Sequence, residues 1–183
     1  METKKDIRKR VLATRDVIRK RDWEENSHRI YEKVVTHPFF LESSVIYCYV
    51  DYRNEAGTEA IIKKAWELEK KVAVPKVEGE EMNFYYISDF SDLKEGYRQI
   101  REPATKFPAS DAHALVIMPG VAFDKKRNRI GYGKGFYDKF MDKYPSCKTI
   151  ALAFECQIID EIMTDLFDYR PHILITEEHI YDE

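Results

Sequence analysis

Apolar and polar positions change period several times along these 183 residues, and each change marks an element. In residues 4–20, Ile7, Val11, Leu12 and Ile18 fall near one face of a 3.6-residue turn with basic residues around the rest, which predicts a helix. Asp22 followed by Glu25 has capping-box spacing and predicts a second helix from Trp23 to Thr36, stopped by His37-Pro38. Residues 44–50 (Ser-Val-Ile-Tyr-Cys-Tyr-Val) are a β-prone run with a polar loop, 51–57, at the carboxyl end. A helix over 58–70 follows, with Ile61, Ile62, Ala65, Trp66 and Leu68 as its apolar positions. Strands over 72–75 and 82–87 flank a Glu78-Gly79 turn, and residues 88–112 read as irregular, broken at Pro103 and Pro108. A buried strand over 114–118 ends at Pro119-Gly120 and leads into a loop, 121–133. A helix from Gly133–Phe136 to Tyr144 and strands over 148–154 and 173–176 complete the chain. Strands alternating with helices predict an α/β fold: a mostly parallel central sheet flanked by helices, Rossmann-like in three layers, as one domain of residues 1–183.

Composition narrows the function. A hydrophobic share of 44% supports a real core, and a net charge of only -3 disfavours a nucleic-acid binder working through bulk charge. The charge is unevenly spread, because residues 1–21 hold nine Lys or Arg against three acids. Such a basic segment on an acidic body can meet an anionic ligand or dock within the molecule. Cys48, Cys147 and Cys156 have neither disulfide-framework nor zinc-site spacing, and the five histidines show no metal-ligand spacing. The first ten residues lead into no apolar stretch, and no run approaches the roughly 18 residues of a membrane span. A cytoplasmic protein without membrane partners is therefore expected.

The chemistry concentrates between Asp124 and Asp138. Gly131, Gly133 and Gly135 are three of the seven glycines. Alternating glycines let a backbone take positive φ, and the N–H groups so exposed form an anion-binding nest. Lys134 lies inside the nest and Arg129 just before it, both suited to phosphate oxygens. The loop follows a strand, where open α/β sheets bind ligands. It is not a Walker A loop, since Gly135 follows Lys134, nor a dinucleotide fingerprint, since Phe136 stands where a third glycine is needed.

The stretches Met118-Pro-Gly-Val-Ala-Phe-Asp124 and Arg129-Ile-Gly-Tyr-Gly-Lys-Gly-Phe-Tyr-Asp138 resemble the signature of the 5-formyltetrahydrofolate cyclo-ligase family. Lys4-Lys5-Asp6-Ile7-Arg8, Val74-Pro75-Lys76 and Glu102-Pro103 resemble further family landmarks in the same order, so the likeness covers nearly the whole chain. The resemblance implies an ATP site from Lys4, Lys5, Arg8, Arg129, Ile130, Gly131, Tyr132, Gly133, Lys134, Gly135, Phe136 and Tyr137. It implies a folate site from Val50, Glu55, Met82 and Tyr137, with Glu55 and Thr58 similar to a folate-contacting Glu-x-x-Thr. Asp138 and Asp168 are implied as ligands of Mg²⁺, and Lys134, Arg129 and Tyr137 as the catalytic groups. Three positions depart from the pattern. Tyr132 stands where Arg is frequent, Tyr97-Arg98-Gln99 replaces a Gly-aromatic-Gly, and Pro171 replaces a second acid.

The implied reaction is ATP-dependent conversion of 5-formyltetrahydrofolate to 5,10-methenyltetrahydrofolate with release of ADP and phosphate, by a monomer that binds no nucleic acid. Phosphorylation of the formyl oxygen would precede attack by N10, a transfer that needs positioning and charge neutralisation. Read from the residues alone, a non-catalytic nucleotide- or RNA-binding module stays open, with Tyr132, Phe136 and Tyr137 stacking on bases. A phosphosugar enzyme using the same anion nest stays open too.

Overall fold

Seven strands form one twisted layer in the computed structural model, which describes residues 2–183 apart from the side chain of Tyr97. In chain order the strands are β1 (Val45–Cys48), β2 (Lys71–Glu78), β3 (Glu81–Ile87), β4 (Leu93–Glu95), β5 (Arg101–Pro103) and β6 (Leu115–Met118). Then come β7 (Ala122–Asp124), β8 (Arg129–Ile130), β9 (Lys148–Leu152), β10 (Ile158–Ile159), β11 (Ile173–Ile175) and β12 (Ile180–Tyr181). The main sheet has the order β12-β11-β9-β6-β1-β2-β3. Its five central strands are mutually parallel, and the two edge strands are antiparallel. A three-stranded sheet, β10-β7-β8, and a β4-β5 ribbon stand apart from it.

The helices are α1 (Lys4–Asp16), α2 (Lys20–Val35), α3 (Pro38–Glu42), α4 (Glu59–Glu67) and α5 (Phe136–Lys143). Successive strand residues point to opposite faces, so a strand buried along its whole length must be covered on both. β1 shows this. Ile46 and Cys48 pack with Ile30 and Val34 of α2, Phe40 of α3 and Ile61 and Ile62 of α4. Val45 and Tyr47 pack with Phe84 and with Phe140 and Met141 of α5. The result is the three-layer α/β arrangement expected from the alternating pattern. A third cluster joins Ile7 and Val11 of α1 to Val121, Ala122, Ile130 and Ile162, which fastens the basic helix to the small sheet.

Boundaries differ from the sequence pattern where side chains found other partners. The helix expected from Trp23 starts at Lys20, with Arg19 as an N-cap that makes no side-chain cap bond. Asp22 is instead paired with Arg19 at 2.8 Å. The capping box forms at α1, between Thr3 and Asp6. The short helix α3 begins at the Pro38 that ends α2, because proline suits a first helical turn. The loop expected over 121–133 contains the β7-β8 hairpin. Its organiser is Asp124, 1% exposed. Asp124 accepts the amides of Lys126, Asn128 and Ile162 and the side-chain amide of Asn128. The ribbon β4-β5 lies in the segment expected to be irregular.

Gly120, directly after β6, sets the close approach that seats Arg129. A Cβ there would stand 2.4 Å from Cζ of Phe123 and 3.1 Å from Cγ of Arg129. Gly120→Ala should therefore cost about 1–3 kcal/mol through overpacking. Urea denaturation checks this, and an unchanged midpoint would show that the two side chains move aside freely.

Candidate functional site

Two groups of polar side chains meet at the glycine loop, beyond the carboxyl ends of β1 and β6. The loop runs from β8 into α5, with Gly133 at φ +103° and Gly135 at φ +68°, the latter as the N-cap of α5. An L-residue is strained in both conformations, so glycine is required here. Gly131 also lies close to the Arg129 guanidinium, 3.1 Å from where its Cβ would be.

The first group surrounds the loop with charge. Docked α1 brings Arg8, whose Nε donates to the Gly131 carbonyl at 2.7 Å. One turn earlier Lys4 meets Asp168 at 2.5 Å and Asp165 at 2.6 Å. Partial burial pulls the Lys4 ammonium down, but these two carboxylates outweigh it and leave it above its ordinary pKa. Arg129 is 6% exposed. Its Nη2 meets Oδ1 of Asp138 at 2.9 Å and its Nη1 donates to the Pro119 carbonyl, while the guanidinium lies 5.8 Å from the Tyr137 ring centre. The Tyr169 amide also donates to Oδ1 of Asp138, so Asp138 and the Asp168–Tyr169 segment are neighbours. Lys5 and Lys134 are exposed and form no ion pair among the described residues.

The second group is sheltered. Glu55 is 6% exposed and fully enclosed at its carboxylate. Its Oε1 accepts from the Tyr132 hydroxyl at 2.7 Å, and its Oε2 accepts from the Tyr52 amide at 2.8 Å. The Tyr132 hydroxyl in turn accepts from Nη2 of Arg15 at 2.8 Å. Burial pushes the Glu55 carboxyl up to about 7, against the pull of Tyr132 and Arg15. Burial and the Glu55 charge push the phenols of Tyr132 and Tyr137 well above their usual range, so both stay protonated donors. Tyr132 is exposed as a residue, while its hydroxyl is taken up by Glu55 and Arg15. Thr58 is spent on the backbone: its hydroxyl donates to the Tyr49 carbonyl and its amide to Asp51.

Of the other expected site residues, Ile130 packs under α1, and Phe136 and Tyr137 lie against the cluster that holds Met82. Val50 packs in the cluster on the opposite sheet face, so Val50 and Met82 share no buried cluster. Arg15 was not anticipated. Its signal is visible afterwards, since Ile7, Val11 and Arg15 are spaced i, i+4, i+8 and share one helix face.

A cavity of about 330 Å³ lined by Ile18, Lys20, Trp23, Asp51 and Asn54 adjoins the Glu55 segment, whose carbonyl accepts from the Trp23 indole. A larger cavity of about 490 Å³ lies at the amino end of β2, around Trp66, Lys70 and Lys71, and includes none of the residues above. Oxygen donors for a hard divalent cation are present in Asp138 and Asp168. The hydrogen bonds to each fall on one carboxylate oxygen among the described residues, leaving the other oxygen available. The carboxylate pair therefore fits Mg²⁺. A separate trio, Glu155, Glu178 and His179, has ligand atoms within 4.8 Å of one another. There both Glu155 oxygens already accept hydroxyl protons, from Thr176 and Tyr181.

An α/β sheet carrying a glycine-rich, cation-lined loop at its strand ends defines an enzyme of the kind that handles an anionic co-substrate. The model of the 5-formyltetrahydrofolate cyclo-ligase family matches residues 1–177, and this chain belongs to that family. A Caenorhabditis elegans protein named probable 5-formyltetrahydrofolate cyclo-ligase is 30% identical over 88% of this chain and 86% of its own. The Mus musculus 5-formyltetrahydrofolate cyclo-ligase is 28% identical over 80% of each. The solved structure of Aquifex aeolicus 5,10-methenyltetrahydrofolate synthetase is 26% identical, covering 98% of this chain and 92% of its own with a TM-score of 0.87. The chain is accordingly an enzyme of the ligase class. No helix among the described residues is long and apolar enough to cross a membrane.

The raised Glu55 pKa carries a stability signature. The folded form holds a proton that the unfolded chain gives up near pH 4.5. Stability from this group is thus full below that pH and is lost as pH rises through about 7. Ionised and buried at pH 8, Glu55 costs about 3 kcal/mol. Glu55→Gln should raise the denaturation midpoint at pH 8 and change it little at pH 5. A pH-independent effect in parallel thermal melts would contradict the assignment.

Proposed function

We propose that this chain converts 5-formyltetrahydrofolate to 5,10-methenyltetrahydrofolate, using ATP and releasing ADP and phosphate. One observation carries the reading: a single loop carries both a cation-lined glycine cradle and, through Tyr132, a sheltered carboxylate. A polyphosphate suits the first and the N–H donors of a pterin suit the second.

A formamide is a poor electrophile because its nitrogen donates into the carbonyl. In the proposed first step the formyl oxygen attacks the γ-phosphorus, and the bond to the β-phosphate oxygen breaks to leave ADP. N10 then adds to the activated formyl carbon and loses its proton. The carbon–oxygen bond breaks, phosphate departs, and the cyclic amidinium remains. The backbone N–H groups of Gly131 to Gly135, with Lys4, Lys5, Arg8 and Lys134, would neutralise the triphosphate around Ile130, Tyr132 and Phe136. Arg129, Lys134 and Tyr137 would face the transferring group, with Arg129 oriented by Asp138. Mg²⁺ held by Asp138 and Asp168 would supply charge neutralisation on the phosphate oxygens. Glu55 would accept from the pterin, with Val50 from one face of the sheet and Met82 and Tyr137 from the other as the apolar contacts.

The same reading treats residues 1–183 as one catalytic domain that works as a monomer, since every group named comes from this chain, and places it in the cytoplasm. A bare nucleic-acid backbone suits the site less well, because Asp138, Asp165 and Asp168 flank the cations.

Methenyltetrahydrofolate absorbance should grow only when ATP and 5-formyltetrahydrofolate are both present. Growth without ATP, or none with both, would refute the reaction. Lys134→Ala should raise KM for ATP about tenfold or more, the loss expected of one charge-assisted contact. Asp138→Asn should lower turnover and recover partly at higher Mg²⁺. A loss that magnesium does not touch would assign Asp138 to holding Arg129 alone.

A further inference from the structure

Arg15 has no part in the reaction outlined above, yet among the described residues it is the largest fully buried side chain, at 0% exposure. Among the described residues its guanidinium makes one hydrogen bond, to the Tyr132 hydroxyl, and its Nε and Nη1 make none. A guanidinium built to staple the fold would use its whole fork of donors. Withdrawn from water with one hydrogen bond, this one needs an opposing charge. The carboxylate at the far side of the tyrosine provides it: Arg15 to Tyr132 is 2.8 Å, and Tyr132 to Glu55 is 2.7 Å. The Arg15 guanidinium also lies 5.8 Å from the Tyr132 ring centre.

We propose that Arg15 and Tyr132 are positioning residues that keep the buried Glu55 carboxylate charged and aimed as an acceptor for the folate. This rests on the proposed folate-binding role of Glu55. The two residues come from α1 and the glycine loop, the elements that also form the nucleotide cradle. The acceptor of the folate site is therefore held by the walls of the ATP site.

The groups facing Glu55 give the direction of the test. Burial raises its pKa and Asp51 adds to the rise, and with the opposing groups the net is about 7. Tyr132, Arg15 and the Tyr52 amide lower it. The phenols of Tyr49 and Tyr137 also lie within its field, from the end of β1 and from α5. Removing Arg15 or the Tyr132 hydroxyl removes a lowering influence, so the carboxylate form must retreat to higher pH.

The experiment is a carbon-13 NMR titration of glutamate carboxyls in the intact enzyme, with Glu55 assigned by Glu55→Gln, paired with KM for 5-formyltetrahydrofolate across the same pH range. The parent should titrate near pH 7, with KM rising below it. Arg15→Met and Tyr132→Phe should each move the Glu55 inflection up by about one pH unit, and with it raise KM at pH 7 about fivefold, as the ionised fraction falls from a half to about a tenth. The difference in KM should narrow by pH 9, and Arg15→Lys should restore most of the parent profile. A merely structural arginine would lower the melting temperature and leave the inflection in place. Tyr132→Phe guards against misfolding of the arginine variant, because the residue is 43% exposed and only the hydroxyl is lost. An unmoved Glu55 inflection in Tyr132→Phe, or a moved inflection with unchanged KM, overturns the proposal. A parent that turns over no 5-formyltetrahydrofolate would defeat the proposed reaction, while the NMR titration still decides whether Arg15 and Tyr132 hold the carboxylate.

Discussion

The docking of α1 on the small sheet is the interaction on which the site depends. Ile7 and Val11 are the buried aliphatic residues of α1, and they pack on Val121, Ala122, Ile130 and Ile162. Full burial of such a side chain contributes about 1.5–3 kcal/mol, and an isolated helix of this length is marginal in water. From that seat, spacing alone delivers the cations. Lys4 reaches Asp165 and Asp168, Arg8 the Gly131 carbonyl, and Arg15 the Tyr132 hydroxyl. Asp124 makes the seat possible, because the hairpin that it organises presents both Ile130 to the helix and Arg129 to the loop.

Electrostatics then divide the site into two media. Around the loop, Arg129 is buried against Asp138, while Lys4 is partly exposed and balanced by Asp165 and Asp168. Surface pairs of this kind are individually weak, so an incoming polyphosphate can exchange for them at little cost. Around Glu55 the groups are withdrawn from water, and an unbalanced charge there is expensive. Holding a carboxylate that titrates near neutral pH lowers the stability of the fold above that pH. Such a cost is usual where a buried acid serves binding or chemistry.

The layered fold was legible because its strands are short β-prone runs separated by helical periodicity. Val45–Cys48, Leu115–Met118 and Lys148–Leu152 all lie inside the stretches that this pattern predicts. The glycine loop was legible through composition, and Gly133 and Gly135 have the positive φ that alternating glycines suggest. The two-residue strands β8, β10 and β12 were not, since nothing that short has a period. The capping box was expected at Asp22 and formed at Thr3, because local spacing cannot tell which acid will be drawn off by a neighbouring arginine. Arg15 and the enclosure of Glu55 were illegible for a related reason. Both depend on a contact between residues 117 and 77 positions apart from Tyr132, which no local window contains.

Hydrogen–deuterium exchange of residues 4–16 and 129–137, with and without ATP and Mg²⁺, tests the central claim that α1 and the glycine loop form one nucleotide-responsive unit. Both segments should gain protection together when the nucleotide is added, because the anion joins cations contributed by each. Protection confined to one segment, or unchanged in both at saturating ATP, would contradict the account.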